Sequence, residues 1–139
     1  MRSKVFEGAV AVRLDIGDEI VECLKYVCEK HGIKSGAIMG IGATDNANLG
    51  VYDIERKSYE GKTVDEFCEI ANLSGNVSSM NGEVYLHLHV TLGGKSGRIY
   101  AGHLQSAVIS ATAEIFILPF DEAIDRKRDE EHGLNIFDF

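Results

Sequence analysis

The sequence predicts an α+β fold, a mixed α/β arrangement in which one helix accompanies a strand-rich remainder. Three observations predict it. Apolar residues fall at helical spacing in one early segment, and they alternate or run together in strand-length blocks over most of the rest. Between two of those blocks stands Asn81-Gly82, the residue pair that a two-residue hairpin turn favours.

Residues 5–14 alternate Val10, Val12 and Leu14 against Ala9, Ala11 and Arg13, the pattern of a half-buried strand. Residues 17–30 place Ile20, Val21, Leu24, Val27 and Cys28 on one helical face, with Asp18 and Glu19 in the first turn, where negative charge meets the helix dipole. Gly32 follows as the C-terminal cap. Residues 35–43 are glycine-rich, but Gly36, Gly40 and Gly42 do not follow the order of a dinucleotide fingerprint. A buried strand with close backbone approaches is expected there, and a further strand over residues 47–52. Strands are expected at residues 66–73, 75–80, 83–92, 98–104 and 107–118, the last long enough to contain a bend. The charged tail, residues 121–131, reads as solvated, and the apolar Leu134-Asn-Ile-Phe137 beyond it is suited to docking on the domain or on a neighbour.

With 139 residues, one proline, and neither repeats nor low-complexity stretches, a single domain over residues 1–139 is expected. No apolar run reaches the roughly 18–20 residues that span a bilayer, and residues 1–14 lack the apolar stretch of a signal peptide. The three cysteines, Cys23, Cys28 and Cys68, lack zinc-ribbon spacing and are expected to be buried, reduced thiols of a cytoplasmic protein. A formal net charge of −8 repels nucleic-acid phosphates and anionic membranes unless basic residues cluster.

The chemistry concentrates in residues 76–92. A tight turn at Asn81-Gly82 sets Met80 opposite Glu83, Ser78 opposite Tyr85 and Asn76 opposite His87. Along the second strand Val84, Leu86, Leu88, Val90 and Leu92 point one way, and Tyr85, His87, His89 and Thr91 the other. A second reversal falls at residues 93–97. Centred on Lys95, it puts His103 opposite His87 and the small Ala101 opposite His89, so that three imidazoles share a face. Parity decides this outcome, because a one-residue slip would send His103 to the other face.

Three neutral imidazoles suit zinc or a similar divalent transition metal and leave a fourth position open, as catalytic rather than structural sites do. A metal there lowers the pKa of bound water or polarises a carbonyl. Alone, His87 and His89 would be the polar face of a half-buried strand; His103 in register favours the metal. His31, at a helix C-terminus, and His132, in the tail, are weaker candidates. Among carboxylates, Glu83 stands at the hairpin mouth and Glu114 interrupts an apolar strand; these are the two candidate proton carriers. There is no Gly-x-Ser-x-Gly elbow and no P-loop.

In their order and spacing, Gly32-Ile33, Gly36-Ala37-Ile38, Gly40-Ile41-Gly42-Ala43, Gly75-Asn76-Val77-Ser78, His87-Leu-His89, Gly97 and Gly102-His103-Leu104 resemble the plants-and-prokaryotes-conserved (PPC) domain. The tail pattern Arg126, Asp129, Gly133 extends the resemblance over essentially the whole chain. It implies a largely antiparallel sheet with flanking helices, assembled as a homotrimer. Prokaryotic members resemble this chain in carrying the His-x-His and Gly-His motifs. Plant members join the domain to AT-hook segments and lack those histidines.

The family is commonly described as predicted DNA-binding, without an established activity. This chain has no AT-hook, and its one basic cluster is Arg126-Lys-Arg128. Three functions compete: a homotrimeric zinc-binding protein of hydrolytic or sensory role, a DNA-associated regulator, and a non-catalytic trimerisation module with the uncharged residues 38–43 at its interface.

Overall fold

The computed structural model describes residues 1–139. Nine strands and one helix follow in the order β1 (Arg2–Phe6), β2 (Ala9–Asp15), α1 (Ile20–His31), β3 (Gly36–Asp53), β4 (Ser58–Val64), β5 (Cys68–Met80), β6 (Glu83–Gly94), β7 (Ile99–Pro119), β8 (Arg126–Asp129) and β9 (Leu134–Phe137). The main sheet runs β1-β2-β7-β6-β5-β3-β4, and β3 also pairs with β7. Its ladders are antiparallel. The second β3 contact closes a ring of β3, β5, β6 and β7, which removes the free edges those strands would otherwise present.

The fold class holds as a mostly antiparallel sheet with one short helix, so the expectation of several flanking helices is corrected to one. Only residues 20–31 carry a helical apolar face, and Ile20, Leu24, Val27 and Cys28 bury it. Glu19 caps the helix by accepting from the Glu22 amide (2.8 Å), and its other oxygen accepts from the Ala107 amide of β7 (2.8 Å). Gly32 closes the far end in the left-handed conformation.

Several expected strands prove to be parts of longer ones. Residues 66–73 and 75–80 merge into β5, and 98–104 and 107–118 into β7, whose length is accommodated by register shifts against β3. Conversely, residues 5–14 split into two strands about Glu7-Gly8. The glycine-rich segment is indeed strand with tight backbone approaches: a Cβ at Gly36 or Gly42 would meet a β7 carbonyl oxygen at 2.5 or 2.6 Å. The tail is corrected most. It forms the β8–β9 hairpin, and Arg126 is buried rather than solvated.

One contiguous core holds 25 buried apolar residues, among them Leu14, Ile70, Leu73, Val77, Leu88, Leu92, Ile109, Ile115 and Ile117. Each such side chain contributes about 1.5–3 kcal/mol on burial. The apolar half of β6 belongs to this core, so its alternate residues are held outward on a rigid strand. All three cysteines are free, and burial pushes the Cys28 thiol up to about 12. No helix is long and apolar enough to cross a membrane.

Candidate metal centre and the cleft beside it

Asn81 and Gly82 both take positive φ, 54° and 81°, and the expected register follows: Met80 opposite Glu83, Ser78 opposite Tyr85, Asn76 opposite His87. The next reversal differs from expectation. It is centred on Ser96, with the Gly94 amide donating to Arg98 O (2.8 Å) and the Gly97 amide to Gly94 O (2.9 Å). His103 therefore lies opposite His89, and Ala101 opposite Thr91. The slip is two residues, an even number, so His103 keeps its face. Parity survives although the pairing does not.

The three rings meet. His87 and His89 have centroids 5.1 Å apart, His87 and His103 5.3 Å, and His89 and His103 5.7 Å. One ring nitrogen from each lies within 4.8 Å of the others. Tyr59 of β4 stacks on His103 with centroids 4.7 Å apart and planes at 27°. Gly50 opens the space, since a Cβ there would stand 2.9 Å from Cδ1 of Tyr59. His89 is exposed while His87 and His103 are half-buried. Burial holds His87 down at about 4, helped by His103, Arg126 and His89. Burial, and then the charge of His89, lowers His103 as well. Both rings thus favour the neutral form that ligates metals.

The donor set fits a divalent ion. Three nitrogens with bonds of about 2.0–2.1 Å stand about 3.4 Å apart around a tetrahedral ion, against the 4.8 Å within which they lie here. His103 Nδ1 is buried without a hydrogen-bond partner, an unmet demand that a bound ion would answer. No carboxylate joins the group. Glu83 is exposed beside its turn opposite Met80, and Glu114 is exposed opposite Arg13 and Ile41, toward the far end of β7. His31 is exposed near Ser3 Oγ (3.4 Å), and His132 pairs with Asp129 (2.7 Å).

A cleft of about 300 Å³ opens beside the cluster, lined by His87, Asn76, Tyr59 and Tyr85 on one side and by the β8–β9 hairpin on the other. Arg126 closes its floor. Its Nε donates to Ser78 Oγ (2.7 Å), one terminal nitrogen to Asn135 O (2.6 Å) and the other to Asn76 Oδ1 (2.8 Å). Tyr85 and Phe137 flank the guanidinium at 4.7 and 4.5 Å. Sequence reasoning missed both Tyr59 and Arg126. The polar, exposed β4 offers no periodicity to find Tyr59, whereas the spacing of Arg126, Asp129 and Gly133 marked the tail without revealing where it docks.

A family model of the Plants and Prokaryotes Conserved (PCC) domain, the family written PPC above, matches residues 1–121. Among solved structures, the chain is similar to a protein of Bacteroides thetaiotaomicron described as a putative DNA-binding protein. The two are 40% identical, with a TM-score of 0.96 over 99% of this chain and 96% of that one. A metal-containing protein of Archaeoglobus fulgidus is 41% identical, with a TM-score of 0.87 over 96% and 98%. A PPC protein of Pyrococcus horikoshii is 32% identical, with a TM-score of 0.87 over 94% and 91%. A comparison with curated proteins finds no match.

Proposed function

We propose that this chain, which belongs to the Plants and Prokaryotes Conserved (PCC) domain family, is a metal-binding protein in which His87, His89 and His103 hold one divalent ion, zinc being the best match to three imidazoles. The observation that carries the reading is the convergence of three ring nitrogens within 4.8 Å on one rigid sheet face. A similar protein described as metal-containing supports it. Bound there, the ion supplies Lewis acidity at an open coordination position, for hydrolysis or for sensing. The chain's own part is to keep His87 and His103 neutral by burial and to hold all three rings in place through strand pairing.

The proposal includes a single domain over residues 1–139 and a homotrimer. Met39, Ile41 and Phe116, exposed on neighbouring strands, are the apolar surface a trimer would cover. Elemental analysis of the purified protein tests the metal. About one ion per chain is expected, and loss of it when all three histidines become alanine; below about 0.3 per chain in the wild type the reading fails.

The description of a similar protein as DNA-binding favours a second reading, a DNA-associated regulator. Against it, the one basic cluster does not face outward as a unit: Arg126 is buried and Lys127 pairs with Asp138 (2.7 Å). A gel shift at low ionic strength, where backbone contacts are strongest, decides; no retention of duplex DNA rejects this reading.

A further inference from the structure

Arg126 is a buried cation without an anion. It is 9% exposed, and no carboxylate lies within ion-pair distance of it anywhere in the fold. Its three hydrogen bonds go to neutral oxygens of Ser78, Asn135 and Asn76. A guanidinium has five N–H donors, so two remain to be satisfied. Burying a charge is costly unless it is paired, and natural folds rarely leave one so.

The surroundings add to the demand. Arg128, on the same face of β8, lines the cleft and has no ion-pair partner either. Asn135 Oδ1 is buried without a donor, an acceptor that a ligand hydroxyl or amine would meet. Tyr59, Tyr85 and Phe137 supply an apolar wall, and about 300 Å³ suits a small organic molecule. His87 lines both the cleft and the imidazole cluster. In a chain of net charge −8, two unpaired guanidiniums at one cleft concentrate positive potential against the sign of the molecule as a whole.

We propose that this cleft binds a small organic oxyanion, a carboxylate or phosphate group carrying a hydroxyl or amine, with the oxyanion paired to Arg126 and the donor to Asn135. The placement of such a ligand beside the imidazoles rests on the metal reading; the pairing with Arg126 does not. A loaded ion would make the cleft more positive and tighten the anion further.

Calorimetric titration of the full chain with inorganic phosphate and, separately, with lactate tests this, in zinc-loaded and chelator-treated samples whose zinc content is measured in parallel. At least one of the two should bind with a Kd near or below about 1 mM, and which one does so separates the phosphate class from the carboxylate class. Arg126→Met should weaken that binding by at least about tenfold with zinc content unchanged. Arg128→Ala, at an exposed position, should weaken it less. Should Arg126→Met fail to fold, Arg126→Lys keeps the charge but loses the fork, and is expected to weaken binding while retaining zinc. Zinc uptake with no binding of either anion overturns the inference and leaves the metal reading standing. Anion binding without zinc uptake does the reverse. Binding that is indifferent to Arg126 and Arg128 also overturns the inference.

Discussion

Acidifying the metal-free protein should destabilise it through its histidines before its carboxylates take part. His87 is held at about 4 against an ordinary value of 6.5, chiefly by burial. The unfolded chain therefore takes up a proton that the folded chain refuses. Stability from this group is complete above about pH 6.5 and is lost as pH falls toward 4. A fully transmitted effect amounts to about 1.4 kcal/mol per pH unit, so about 2 kcal/mol between pH 6.5 and 5. Half-burial lets solvent screen the ring and reduces this to about 1 kcal/mol. His103, lowered by burial and by His89, acts in the same direction. Asp15, Asp18 and Asp129 are lowered from 3.8, so their contribution fades only at lower pH, leaving the window above about pH 5 to the imidazoles. Urea titrations with chelator at about pH 7 and pH 5 should show the wild type losing about 1–2 kcal/mol. His87→Gln, which cannot titrate, should lose clearly less over the same interval. Equal losses in the two proteins, or none in the wild type, would refute the assignment.

Leu88 is 1% exposed between the two histidines of β6, and Leu88→Ala should cost about 3 kcal/mol in denaturant titration; a loss under about 1 would mean that the strand is not anchored as described. Gly75 sits where a Cβ would collide with the His87 carbonyl, so Gly75→Ala should destabilise by about 1–3 kcal/mol and weaken zinc retention, with unchanged stability counting against the β5–β6 spacing. Gly82→Ala, at φ 81°, should lower stability by about 1 kcal/mol in the same assay and leave metal content unaltered.

The histidine face was legible because alternation on β6 is strict and the Asn81-Gly82 turn permits only one register. What sequence could not supply was the centre of the next reversal. Residues 93–97 contain three glycines, and nothing local distinguishes a turn about Lys95 from one about Ser96. Even so, both choices conserve the face, which is why the cluster could be anticipated although its pairing could not. The lone helix was readable from its apolar spacing; the additional helices implied by family likeness were not in the residues. The tail misled for a physical reason. Residues 121–131 are charged enough to look solvated, yet Arg126 turns inward between Phe137, its partner in the β8–β9 hairpin, and Tyr85, Ser78 and Asn76, which lie forty or more positions earlier in the chain. Tyr59 escaped notice in the same way, since its partner His103 lies on a strand it does not pair with.

The β6–β7 hairpin spans only residues 83 to 119 and already contains every imidazole of the cluster. The cleft, by contrast, needs Tyr59 from before that hairpin and Arg126 from after it. Short-range closures are entropically cheaper than long-range ones, so the donor trio can assemble as a local event while the guanidinium arrives last. A growing polypeptide would then be equipped to capture its ion well before it could recognise a small molecule, and truncation behind β7 would separate the two abilities.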